Sequence, residues 1–375
     1  MKNNLILTRV ISLDVFRGIT VAAMILVNNP GSWSSIYWPL KHSDWNGCTP
    51  TDLIFPFFLF IVGVAIVCAL NNLKHTIPPK QLINKILKRG FIIIGLGLFL
   101  NLFPYFDFAH VRIPGVLQRI GVVYIVCAIL FLKTTRQTQY FIFWLLIIGY
   151  YLLMTFVPVP DFGRSNLDKE TNLAAWVDRL ILTQNHTWKQ TVTWDPEGVL
   201  STLPALASGV FGMIVGCIVT AEKKASLEST LRLIYHGIIA IILGICFNFF
   251  FPLNKSLWTS SFVLFTSGLA TVCFSILYWL IDVKKYKIGV QFFLVFGLNA
   301  ITVFFGSAII AKLLNIPWLE KNGETIGAKQ WLYQTFFIPY FNNPYLASLA
   351  GALTFVFIWY GVLWVMSKKN VFIKI

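Results

Sequence analysis

The chain has 375 residues, 57% hydrophobic and only 12% charged, against about a quarter charged in ordinary soluble domains. That balance excludes a soluble globular protein and points to an integral membrane protein, whose 34 Phe, 13 Trp and 13 Tyr suit a lipid-facing surface with interfacial belts. The formal charge of +15 then reads as loop charge that sets orientation, so no nucleic-acid partner is expected.

The first segment, MKNNLILTRVISLDVFRG, carries Arg9, Asp14 and Arg17 and has no small-residue cleavage site after a short apolar core. No removable signal peptide is expected, and the first helix stays in the membrane. A helix needs about 20 apolar residues to cross a bilayer. Runs of that kind fall at 11 to 29, 51 to 72, 88 to 105, 113 to 132, 140 to 158, 198 to 220, 231 to 252, 258 to 281, 290 to 313 and 344 to 366. The run 88 to 105 is the weakest, being short and rich in Gly. The expected fold class is an all-α polytopic membrane protein with about ten transmembrane helices, in one domain over residues 1–375.

Ten spans place both termini on one side. The loops on that side hold 18 Lys and Arg, counting Lys2, Lys223 and Lys374, against 9 in the opposite loops, which predicts cytoplasmic termini. The external loops are then 30–50, 159–197 and 314–343. The latter two are long and mixed in charge, so recognition or chemistry is expected outside. Inner loops are short and basic, and no internal repeat argues for a duplicated transporter. Five of the six cysteines lie in apolar runs without short ligand spacing, so neither a metal site nor a disulfide framework is expected. The acceptor patterns NHT at Asn185 and NKS at Asn254 carry meaning only in a eukaryotic source.

Polar residues within this apolar chain need reasons. In LKHSDWNGCTPTDLIFPFF, Thr49 reads as the N-cap of the second span, Pro50 as its first residue and Asp52 as the acid of a capping box. His42 caps nothing obvious. With Asp44 or Asp52 to orient its imidazole it is a candidate general base, with Trp45 and Asn46 beside it. Asp14 and Arg17 share one helix face and neutralise each other as an ion pair. Arg112 and Arg119, seven apart, also share a face, and Arg119 lies deep enough to require an interior partner. Asp195 and Glu197 stand at the start of the sixth span, Asn254 and Lys255 at another external turn. His42, Asp44, Asp52, Arg112, Asp195, Glu197, Asn254 and Lys255 are therefore expected to converge on one cavity open to the outside. Gly95, Gly97, Gly212 and Gly216 permit close helix packing, including a homodimer.

The motifs SLDVFRGITVAAMILVNNPG, HSDWNGCTPTDLIFPFFLFIVG, RIPGVLQRIGVVY and WDPEGVLSTLPA closely resemble the transmembrane acyltransferase family of heparan-alpha-glucosaminide N-acetyltransferase, from about Ser12 to the last helix. The resemblance is to a bacterial form without the large luminal domain and extra first helix of the animal enzyme. It implies transfer of an acetyl group from cytoplasmic acetyl-CoA, a co-substrate, to the amine of a glucosamine-type sugar outside, in the cell inner membrane. The family's catalytic histidine falls on His42, and an asparagine of its first helix falls on Asn28. The animal enzyme follows that asparagine with Tyr-Gly-Gly, where this chain has NNPG. Asn28 is the expected donor to the oxyanion, Asp44 or Asp52 the partner of the imidazole, with Asp52 counted among the catalytic residues, and Arg17 with Asp14 the groups nearest the CoA phosphates. Trp45, Asn46, Asp44, Arg112, Arg119, Asp195, Glu197, Asn254 and Lys255 are the expected acceptor-binding set. The competing reading is a polytopic transporter or binding protein for a small sugar or amino sugar.

Overall fold

The computed structural model describes residues 9–222, 224–321 and 323–373; Lys2, Lys223 and Lys374, used above in counting charge, lie outside them. The chain is an all-α, multi-pass membrane protein. Its helices are α1 (Ile11–Asn28), α2 (Ile54–Thr76, entered through a 3-10 turn Pro50–Leu53), α3 (Pro79–Leu102), α4 (Val116–Lys133) and α5 (Arg136–Phe156), then α6 (Leu173–Leu182), α7 (Thr202–Val219), α8 (Leu227–Asn248) and α9 (Ser260–Leu277). After α9 a π-helical turn runs to Val283, followed by α10 (Val290–Leu298) and α11 (Ala300–Asn315). An antiparallel hairpin, β1 (Pro317–Lys321) and β2 (Glu324–Gly327), leads to α12 (Ala328–Phe336) and α13 (Pro344–Lys368). Thus the two long loops of the sequence reading hold α6 in one and the hairpin with α12 in the other.

Among the described residues, eight helices are long and apolar enough to cross a bilayer. The run 88 to 105 belongs to α3, which starts nine residues earlier and carries Lys80, Lys85, Lys88 and Arg89 in its first half. The run 290 to 313 is not one straight span. It breaks at Asn299, where α10 and α11 meet at 78°.

α2, α7 and α9 form the centre, with α1 and α4 against them. α7 is the most enclosed helix, whereas α5, α8 and α13 turn bulky apolar side chains outward, as lipid-facing helices do. Backbones touch where glycine allows it. A Cβ on Gly63 would strike the Gly209 carbonyl of α7, and one on Gly18 the Phe293 carbonyl of α10. Three of the four glycines read as permitting a dimer are used inside the chain: Gly97 against Gln118, Gly212 against Phe60 and Gly216 against Val67. Gly95 alone of the four faces open space.

Two fastenings set the direction of the bundle. Asp282, in the π-helical turn that follows α9, accepts the backbone N–H groups of Ile11 (3.1 Å) and Ser12 (3.0 Å) and so caps α1. Gly31 N–H donates to Ser348 at 3.1 Å, tying the exit of α1 to the start of α13. α13 therefore returns to the end of the bundle where α1 begins. The stretch containing His42 lies at the other end.

Candidate functional site

The chain between α1 and α2 folds onto the Thr49–Asp52 capping box, which forms as its residue types dictate. Asp52 Oδ2 accepts the backbone N–H groups of Thr49 (3.0 Å) and Ser43 (3.1 Å). Thr49 Oγ1 donates to the Lys41 carbonyl at 2.6 Å and Thr51 Oγ1 to the Pro39 carbonyl at 3.0 Å, fixing the approach strand. One carboxylate oxygen is left over. Asp52 Oδ1, fully buried, lies 2.7 Å from His42 Nδ1, while the imidazole itself is half exposed. The acid that starts the helix is thus also the acid that holds the histidine.

An ionised carboxylate only accepts hydrogen bonds, so Nδ1 carries the ring proton and Nε2 keeps its lone pair. Lys255 Nζ stands 3.0 Å from Nδ1, 3.2 Å from Nε2 and 3.8 Å from Asp52 Oδ1. In that tautomer only Nε2 can accept from the ammonium. Burial holds the Lys255 ammonium below the ordinary lysine range, against the pull of Asp52 and Glu197. Cys48, beside Asp52, is a poor nucleophile because burial pushes its thiol up to about 12.

The loop bearing Lys255 is anchored to the same stretch. Asn254 Nδ2 donates to Asn46 Oδ1 at 3.2 Å, and Gly47 N–H donates to the Leu253 carbonyl at 2.7 Å. Trp45 Nε1 donates to Leu167 at 2.9 Å, and its ring meets Trp194 edge-on at 5.1 Å.

A second charged cluster adjoins the first. Arg112 donates to both oxygens of Asp195 (2.8 and 2.6 Å) and to Glu197. Burial disfavours its charge, but Glu197 and Asp195 outweigh that and hold the guanidinium above its ordinary range. Asp178 on α6 braces the turn by accepting N–H groups of Asp195 (3.1 Å) and Val199 (2.8 Å), and burial pushes it up to about 6. Arg119 donates to Ser201 Oγ (2.6 Å) and the Gly198 carbonyl (3.1 Å), with its guanidinium over the Trp258 ring at 5.2 Å. Trp258 in turn meets Phe55 at 5.1 Å, at the head of α2. Lys255 and Glu197 are near enough that each bears on the other's ionisation.

Most of the set gathers as two adjoining clusters, His42 with Asp52 and Lys255, and Arg112 with Asp195 and Glu197. Asp44 is exposed, and no hydrogen bond joins it to His42 among the described residues. Asp52 does the orienting because the capping box fixes its carboxylate in place. Asn28 is the exposed last residue of α1, likewise without a hydrogen bond to His42. Arg112 precedes α4 in a loop, so it shares no helix face with Arg119. At the opposite end, Arg17 donates to Asp14 at 3.0 Å, and Arg9 also reaches Asp14, at 2.6 Å. Sequence reasoning missed the bracing role of Asp178 and the contact of Arg119 with Ser201. Asp178 lies in a stretch with no motif, while WDPEGVLS already placed Ser201 four residues past Glu197.

Fold and site together define a multi-pass helical membrane protein with a buried carboxylate and a half-exposed imidazole at one end of the bundle. The family model described as heparan-alpha-glucosaminide N-acetyltransferase, catalytic, matches residues 9–178. Human heparan-alpha-glucosaminide N-acetyltransferase is 30% identical over 371 residues, covering 84% of this chain and 55% of the relative. The mouse protein of the same name is 31% identical over 416 residues, covering 97% and 60%. The chain is similar to these N-acetyltransferases over most of its own length, and it spans little more than half the length of these curated relatives.

Proposed function

We propose that the chain is an acetyl-CoA-dependent N-acetyltransferase, a single transmembrane domain that moves an acetyl group across the membrane to the amine of a glucosamine-type sugar. The observation that carries this reading is the His42–Asp52 pair at 2.7 Å, with Asp52 held by two backbone N–H groups. An amine attacks a thioester only when it is unprotonated. His42 Nε2 takes the proton from the amine as its nitrogen bonds to the acetyl carbon. The carbon–sulfur bond breaks, and the leaving CoA thiolate takes the proton back from the His42 imidazolium, which returns the ring to its neutral form.

Asp52 keeps the ring tautomer and stabilises the imidazolium formed. Lys255 disfavours that imidazolium until the acceptor takes its place at Nε2, and then faces the charge developing on the carbonyl oxygen. The Arg112 and Arg119 clusters, with Trp45 and Asn46, line the acceptor side. Asn28 is the candidate further donor from the end of α1, which would require the chain after α1 to turn it inward. The basic, terminal end carrying Arg17 and Asp14 is the cytoplasmic, donor side, and the His42 end faces outward from the plasma (inner) membrane. The acceptor class is an amino sugar or amino-sugar-ended oligosaccharide.

Purified protein with acetyl-CoA and glucosamine is expected to release CoA, and His42→Ala to abolish release while the fold stays intact. Release unaffected by that substitution removes His42 from the reaction. An acetyl-imidazole trapped from acetyl-CoA without acceptor would show a two-step route through His42. One feature favours a transporter instead, the broken α10–α11 pair, since discontinuous helices often line transport sites. That reading predicts sugar movement without CoA turnover in the same preparation.

A further inference from the structure

Between α10 and α11 the helix axis turns by 78° at Asn299. Asparagine just before a helix ordinarily caps it, its side-chain oxygen taking an N–H of the first turn. Asn299 stands in that position for α11 and makes no side-chain cap. Its side chain is nonetheless buried, 1% exposed, and neither Oδ1 nor Nδ2 has a hydrogen-bond partner among the described residues. Thr302 Oγ1, three residues on, is also buried and unpartnered. Other buried asparagines are employed: Asn254 bonds Asn46 and Leu257, Asn172 caps α6, and Asn29 donates to Ile25. An idle buried carboxamide is thus an exception among the described residues, and buried polar groups left idle are costly.

Neighbouring contacts locate the break. The Gly297 carbonyl, on the last turn of α10, accepts from Arg17 Nη1 at 3.4 Å, and Arg17 is paired with Asp14. A Cβ on Gly297 would strike the Asp14 carbonyl. The break therefore lies against the first turns of α1, at the end of the bundle opposite His42. Irregular backbone inside a membrane bundle is tolerated where it is enclosed by protein or lines a ligand path.

A carboxamide offers one donor and one acceptor side by side, and a second amide matches both. We propose that Asn299 and Thr302 form a binding site for an amide of the pantetheine-type arm of an acyl-CoA donor, held on its way from the terminal end of the bundle toward His42. The proposal rests on the acyltransferase reading above. Because the site is remote from His42, the amide it takes is the one farther from the sulfur.

The test uses full-length purified Asn299→Leu and Thr302→Val, with CoA and pantetheine as probes. A capping or packing role predicts that Asn299→Leu lowers the unfolding midpoint of the unliganded protein. A ligand role predicts a midpoint unchanged or raised, because an unpaired polar group is replaced by an apolar one. It also predicts that both probes lose the stabilisation they give the wild type. KM for acetyl-CoA should rise about tenfold or more in Asn299→Leu and less in Thr302→Val, with kcat nearly unchanged. S-acetyl-N-acetylcysteamine, which has only the amide nearest the sulfur, should be used equally by wild type and variants. Misfolding of Asn299→Leu, or an unchanged response of either variant to CoA and pantetheine, overturns the site. A wild type that neither binds CoA nor turns over acetyl-CoA overturns the acyltransferase reading and the site with it.

Discussion

Replacing Asp52 with Asn alters a single side-chain atom and reverses the tautomer of the imidazole. Oδ2 faces two backbone donors, Thr49 N–H at 3.0 Å and Ser43 N–H at 3.1 Å. The amide must keep its oxygen there, because turning its NH2 toward them would set donors against donors. The NH2 then meets His42 Nδ1, which Asp52 Oδ1 contacts at 2.7 Å in the native chain. Nδ1 has to accept, so the ring proton moves to Nε2 and the outward lone pair is lost. Loss of a positioned general base costs about 10²- to 10⁴-fold in rate, roughly 3–5 kcal/mol in the barrier. CoA release by purified Asp52→Asn, with acetyl-CoA and glucosamine and an unfolding curve as the control for folding, is the assay. A folded variant working within about threefold of wild type would refute the tautomer argument.

Lys255→Met tests the electrostatics of the same site. The folded-state pKa of Lys255 is depressed by burial, so between that value and the ordinary lysine pKa of about 10.4 the unfolded chain binds more protons. Stability should therefore rise with pH across that window in wild type relative to Lys255→Met, and parallel curves would contradict it. Arg112→Met strands Asp195, fully buried, and Glu197 without their cation. A loss of about 3–5 kcal/mol is expected from breaking such a buried pair, and an unchanged midpoint of thermal unfolding would sink that estimate. Gly18→Ala drives a methyl into the Phe293 carbonyl, whereas Gly95→Ala meets nothing. The first should destabilise by about 1–3 kcal/mol and the second be neutral or mildly stabilising; equal effects would contradict the α1–α10 contact.

Spans and caps were legible because they follow from short-range rules. Continuous apolar runs had to become helices, and Thr49-Pro50-Thr51-Asp52 had to start one. The pairing of Asp52 with His42 was half legible: proximity in sequence offered Asp44 and Asp52 equally, and only the capping box decides which carboxylate is fixed. Asn28 lay beyond reach of pattern reading, since whether the last residue of a helix faces the site depends on the rotation of α1 against α10 and α13. The break at Asn299 escaped because hydropathy averages over a window, and one carboxamide between Leu298 and Ala300 barely alters that average. Cations in its first half hid the true length of α3. Asp282 as the cap of α1, 270 residues distant from Ser12, is a tertiary fact that no local signal carries.

The central claim is that acetyl passes through the membrane from a donor at the terminal end to an amine at the His42 end. Its most direct test places the purified protein in sealed liposomes, with acetyl-CoA on one side only and glucosamine on the other. The account predicts N-acetylglucosamine on the side opposite acetyl-CoA, free CoA on the donor side, and neither with His42→Ala. Acetylation only when donor and acceptor share a compartment, or undiminished transfer by His42→Ala, would contradict it.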